Sequence, residues 1–176
     1  PFLPEGVPGE LYYKVHGTSA SDVWIVGNRG ISLRFDGTHL SQLPTDTDLD
    51  TASLMLLTVD ARGEHPIAVG GLGAPAMLHW DGLDWRDHSP EFGAGATGIC
   101  RADDRMVSVG QQGTVYRWSG SAWSSEVDET LTFMDYHACD LSPGGDLWAV
   151  GGQLTSRPLN QGVVLYEGTN PIKALD

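Results

Sequence analysis

Short apolar runs that end at glycine recur along the whole chain. Val23-Trp24-Ile25-Val26 stops at Gly27, and comparable runs stop at Gly70, Gly110 and Gly151. Runs this short, bounded by turn residues, predict strands rather than helices. The next run alternates, with Ile31, Leu33 and Phe35 on one face and Ser32 and Arg34 on the other, which is the period-two mark of a half-buried strand. An aromatic-x-Gly turn then follows at Phe35-Asp36-Gly37, Trp80-Asp81-Gly82, Trp118-Ser119-Gly120 and Tyr166-Glu167-Gly168. Glycine takes the positive φ of a tight hairpin at no steric cost.

The landmark glycines stand 43, 40 and 41 residues apart, the spacing of a four-stranded blade. Each unit predicts a strand A ending near Val15, Val59, Cys100 or Cys139. Strand B ends at the landmark glycine, strand C at the aromatic, and strand D follows the turn. Such a sheet is apolar on both faces, so neighbours must stack on it. Radial stacking gives an all-β propeller with four four-stranded antiparallel blades, spanning approximately 11–44, 54–90, 96–127 and 134–176 within a single unit over 1–176.

Pro4-Glu5-Gly6 precedes Val15 much as Pro90-Glu91-Phe92 precedes Cys100, so residues 1–4 read as the outer strand of a preceding blade. Ile172 to Leu175 supply the fourth blade's own strand D. The expectation is an incomplete ring, either part of a larger propeller or a set of blades that assembles with copies of itself. A closed four-bladed ring is the alternative.

The run from Ser19 through Asp22-Val23-Trp24 to Gly27, together with the aromatic-Asp-Gly turn, resembles the repeats of bacterial secreted and lipoprotein-type β-propeller proteins. The resemblance covers nearly all of the chain. It implies the propeller fold and an extracellular or cell-envelope location, but no activity, because propellers host unrelated functions. The second repeat departs from the pattern with Glu64-His65-Pro66-Ile67, and the third with Asp104-Arg105-Met106.

A formal net charge of −13 argues against nucleic acid and anionic membrane surfaces as partners, since both demand a basic patch. It leaves cationic partners open. The two cysteines, Cys100 and Cys139, make no disulfide framework or zinc site by spacing. They read as small packing hydrophobes at the positions held by Val15 and Val59.

Loop lengths separate the two ends of the disc. The A–B and C–D turns are short, whereas the D–A and B–C connections are long and variable, the longest being Gly152 to Gln161. Insertions in repeat proteins commonly map to the binding face. The long-loop face is acidic through Asp46, Asp48, Asp50, Glu91, Glu126, Asp128 and Glu129. Its candidate partner-binding residues are Asn28, Arg29, Asp46, Asp48, Asp50, Gln111, Gln112, Gln153, Arg157 and Asn160. Asp46, Asp48 and Asp50 alternate as at the start of a calcium loop, but the match then fails, with Leu57 where the bidentate glutamate belongs. They are weak calcium candidates, and no cofactor is expected.

His137 and Cys139 share a face of an inner strand, which makes a channel metal site conceivable, but packing accounts for them better. Trp24, Trp80, Trp85, Trp118, Trp123 and Trp148 read as inter-blade core rather than sugar platforms. Arg34 and Arg117 hold one repeated strand-C position, unlike the arginine cluster of a sialidase. The expected function is a non-enzymatic module that engages a protein or glycan through the acidic long-loop face. The alternatives are part of a glycan-active or metal-dependent enzyme completed by further blades, and a self-assembling structural fragment.

Overall fold

The computed structural model describes residues 4–45, 50–125, 131–153, 160–169 and 172. Four antiparallel sheets follow one another along the chain. The first holds β1 (Tyr12–Ser19), β2 (Asp22–Gly27), β3 (Ser32–Phe35) and β4 (Leu40–Gln42), and the second β5 (Leu56–Asp60), β6 (Ile67–Gly70), β7 (Ala76–Trp80) and β8 (Trp85–Asp87). The third holds β9 (Ala96–Ala102), β10 (Arg105–Gly110), β11 (Val115–Trp118) and β12 (Trp123–Ser125), and the fourth β13 (Tyr136–Leu141), β14 (Leu147–Gly152) and β15 (Gly162–Glu167). Inner strands pack in order, β1 on β5, β5 on β9 and β9 on β13. The chain is an all-β propeller of four blades. Among the described residues no comparable contact joins β1 to β13, so the blades form an arc. The outer strand expected over 172–175 lies outside the described residues except for Ile172, which is not in a strand; the strand expected over 1–4 likewise lies outside them except for Pro4.

The Val-Gly landmark has one physical cause in all four blades. A Cβ on Gly27, Gly70, Gly110 or Gly151 would collide with the carbonyl of Leu11, Met55, Gly95 or Asp135, respectively. That same carbonyl accepts the N–H of the residue after the glycine, at 2.8–2.9 Å in each blade. Only a residue without a side chain lets the start of strand A come this close. The aromatic-x-Gly turn is equally concrete. Asp36 accepts the N–H groups of Thr38 and His39, and Asp81 those of Leu83 and Asp84. Gly37, Gly82 and Gly120 take φ near +100°.

Strand alternation decides which neighbour each side chain meets. Trp24 and Val26 face the second blade, Ile67 and Val69 the third, and Val107 and Val109 the fourth, in three separate apolar clusters. Trp85 donates its indole N–H to Ser32 of the first blade at 2.8 Å. Trp123 does the same to His79 Nε2 of the second at 2.9 Å. The repeated tryptophan after the glycine turn is therefore an inter-blade latch.

Two equivalences inferred from the repeats need correction. Counted from the landmark glycine, Cys139 pairs with Ala149 as Val15 pairs with Ile25, but Cys100 pairs with Val107, which is the register of His16 opposite Trp24. Cys100 is thus one place along, and it faces the fourth blade while Cys139 faces the third. The two are joined in a disulfide with Cα atoms 5.7 Å apart, rather than being independent packing residues. Similarly, Tyr166 pairs with Trp148 as Arg34 pairs with Trp24. It therefore occupies the arginine register, not that of Phe35.

Candidate functional site

B–C and D–A connections leave the sheets at the same end, and the described candidate residues of the long-loop face lie there. Several are engaged in holding loops together. Asn28 accepts the Leu11 N–H through Oδ1 at 2.8 Å. Gln111 Oε1 accepts from Gly73 at 3.0 Å and from Gly95 at 3.2 Å, tying two loops of the second blade to a third-blade loop. The backbone N–H of Gln112 donates to Asp135 at 2.9 Å, reaching the loop that enters the fourth blade. Asp50 caps a turn through Ala52 N–H and the Ser53 hydroxyl. Gln153 makes a backbone bond to Gln161, and Asn160 is exposed beside it. Asp46, Asp48 and Arg157 lie outside the described residues, as do Glu126, Asp128 and Glu129.

Arg29 and Gln112 stand at the tips of matching turns, each followed by a glycine, with φ of 54° and 57°. A left-handed conformation costs a residue with a side chain about 1 kcal/mol or more. Both tips are exposed, and Arg29 stands 3.7 Å from Glu10. Large apolar side chains crop out on the same face, among them Leu72, Phe92, Leu131 and Phe133, each at least 60% exposed. Each lies within four residues of a member of the Gly73–Gln111–Gly95 and Gln112–Asp135 bonds. The face is therefore a braced platform with apolar points.

A second feature, not among the residues expected from the repeats, lies at the short-turn end. A cleft of about 430 Å³ opens between the second and third blades, lined by His65, His79, His88, Arg101, Met106 and Trp118 among others. His79 holds the strand-C register of Arg34 and Arg117, and that departure from the repeat was the available signal. Its ring lies 4.5 Å from that of His88 and 4.6 Å from that of Trp118. Burial first, then the charges of His88, Arg101 and His65, push its pKa down to about 3, so His79 is neutral and accepts the Trp123 N–H. Arg101 donates to the carbonyls of Arg62 and His65, while its buried Nε has no partner. Asp81, beside the cleft, is held at about 2 by the Asp84 and Leu83 amides and by Arg86, which makes it a poor proton donor. Among the described lining residues none carries a hydroxyl, thiol or amine nucleophile.

Near the channel, His16 accepts the Ala61 N–H through Nδ1 at 2.9 Å and stands 3.7 Å from Asp60. Burial would raise the Asp60 pKa, but its bonds from Arg62 outweigh this and lower it. His137 hydrogen-bonds the Gly152 carbonyl at 2.9 Å, and Cys139 is taken by the disulfide. Among the described residues no group of three histidine, cysteine or acidic side chains could hold a metal ion.

No family model matches the chain, and no curated protein matches it by sequence. Its fold is similar to that of a solved β-propeller, YCF48 bound to D1 peptide, with a TM-score of 0.59 and 20% identity. The likeness covers 86% of this chain and 49% of that one. This chain spans about half the length of the propeller it resembles.

Proposed function

We propose that this chain is a non-enzymatic interaction module, related to bacterial secreted propellers, that engages a protein segment through its long-loop face. The observation that carries the reading is the coincidence on one braced face of Leu72, Phe92, Leu131 and Phe133, all exposed, with two strained tips at Arg29 and Gln112. Exposed apolar points among polar neighbours mark protein contact surfaces. The net charge of −13 favours a basic partner segment. The similar propeller carries a bound peptide, which supports a peptide-like partner here. The Cys100–Cys139 disulfide fits an oxidising, extracellular or cell-envelope setting.

Selection of displayed random peptides on the immobilised protein tests this. Enriched peptides should combine basic and apolar residues and weaken as salt rises. They should lose at least about tenfold in affinity, roughly 1.4 kcal/mol, for the Phe92→Ser/Phe133→Ser variant. Equal binding to that variant, or displacement by His79→Gln in the opposite cleft instead, would overturn the long-loop assignment.

A further inference from the structure

The junction between the second and third blades departs from the one before it at three registers, and all three line the same cleft. Three residues before the landmark glycine the first blade has Trp24, and the second has Ile67. Trp24 fills its junction, with the Arg34 guanidinium 5.0 Å over its ring. Opposite Ile67 stands His79, shorter than the arginine whose place it takes. The third departure comes from the facing blade. Cys100 lies opposite Val107 as Asp60 lies opposite Ile67 and Asp140 opposite Trp148. The residue that follows is Ala61 in the second blade and Leu141 in the fourth, both buried, but Arg101 in the third. Two large side chains are lost and a guanidinium is gained. Ile67, His79 and Arg101 line the cleft of about 430 Å³, a volume in the range of small-molecule sites, roughly 300–1,000 Å³.

Arg101 stays charged, and among the described residues no carboxylate pairs with it. Its terminal nitrogens donate to the carbonyls of Arg62 and His65, and its Nε has no partner. Asp60, whose charge reaches it, is bonded to Arg62. Each terminal nitrogen of Arg101 has a second N–H to give, and two carbonyls do not neutralise a partly buried cation. The other cation of the cleft, Arg86, is balanced by Asp81 and Asp84. Aromatic rings supply the walls. Trp118 lies 4.6 Å from His79 and 5.5 Å from His88, and Met106 adds to the apolar lining. His79 and His65 each spend a ring nitrogen within the fold, on Trp123 and on the Trp80 carbonyl. Asp81 spends both oxygens on Leu83, Asp84 and Arg86, and Glu64 is exposed to solvent. The cleft offers one cationic point between flat walls, not a ring of hydrogen-bonding groups.

We propose that this cleft binds a planar aromatic carboxylate, with its ring against Trp118 and its carboxylate on the Arg101 guanidinium. The carboxylate gives Arg101 the counter-charge that the fold withholds, in the paired geometry a guanidinium favours. The ring gains an aromatic face. A sugar would leave most of its hydroxyls without partners on these walls, and a neutral ring would leave the charge of Arg101 unmatched. The site is independent of the long-loop reading, since it lies at the opposite end of the blades and uses neither Phe92 nor Phe133.

Calorimetric titration with 2-naphthoate, its neutral carboxamide 2-naphthamide and the sugar acid glucuronate tests the proposal. On the unmodified protein naphthoate should bind at one site, at least about tenfold more tightly than either of the others. That comparison needs no variant. Arg101→Gln should abolish the preference for acid over amide and leave the affinity for naphthamide unchanged. Trp118→Leu should weaken both naphthyl ligands at least about fivefold, with circular dichroism checking that each variant stays folded. Absence of naphthoate binding, equal affinity for acid and amide, or glucuronate bound as tightly as naphthoate would overturn the proposal. So would a folded Arg101→Gln chain that keeps the preference, or a folded Trp118→Leu chain that binds as before. The Phe92→Ser/Phe133→Ser variant should bind naphthoate unchanged, which separates this outcome from that of the proposed function.

Discussion

Trp24 and Trp148 stand in the same register on the same strand of two blades, each two residues after an aspartate, yet one is buried and the other is not. Trp24 is enclosed by Trp80 and Trp85, its indole N–H bonds Asp22 at 2.9 Å, and the Arg34 guanidinium lies 5.0 Å over its ring. Trp148 has Tyr166 at 4.5 Å, on the fourth-blade face turned away from the third, and it is 41% exposed. The strand itself is therefore not what buries the side chain. The neighbouring blade is, so a repeat can specify a strand and a turn while leaving open whether its face is covered.

The largest effect should come from breaking an inner junction. Trp85→Ala removes a fully buried indole, its two tryptophan neighbours' packing and the bond to Ser32. It should cost about 3–5 kcal/mol in urea unfolding. Trp148→Ala, at a side chain that is 41% exposed, should cost under about 1 kcal/mol. Comparable losses from the two would erase the distinction between covered and open faces.

The third junction carries the disulfide as well as packing. Cys100→Ser/Cys139→Ser opens a loop with a sequence separation of 39 and should lower stability by about 2–4 kcal/mol. A reducing agent should shift the unmodified protein by a similar amount and leave the double variant unmoved.

The second junction should respond to acid. His79 stays neutral in the folded protein down to about pH 3, whereas in the unfolded chain it protonates near its ordinary 6.5. The proton taken up only on unfolding erodes stability as pH falls from about 6.5 towards 3, and above 6.5 the contribution is fully present. His79→Gln, which keeps an acceptor for Trp123 but does not titrate, should flatten that part of the melting-temperature profile. An unchanged slope would mean that His79 is charged in the fold.

The smallest effect should come from the rim of the third junction, where Arg117 pairs with the exposed Glu167. Glu167→Gln should change stability by less than about 1 kcal/mol, and less still at high salt.

Much of the fold was legible because its cause is local. The landmark glycine meets a backbone carbonyl in every blade, and the aspartate of the turn caps the N–H groups two and three residues on. Such constraints leave a residue type at a fixed spacing. The faces of Cys100 and Tyr166 were not legible, because a one-residue shift reverses which neighbour a strand residue meets, and aligning short motifs does not resolve one residue. The long-loop face was found from loop length, but Asn28 and Gln111 use their side-chain oxygens as braces. That role depends on which loops lie beside them. The cleft at His79 left only a faint trace, a histidine where two other blades have arginine.

The contrast between covered and open blade faces is tested most directly by hydroxyl-radical footprinting of the tryptophans. Trp24 and Trp85 should stay protected, being 2% and 0% exposed, and Trp148, 41% exposed, should be labelled. Trp148 protected as fully as Trp24, or Trp24 and Trp85 labelled as readily as Trp148, would contradict the account.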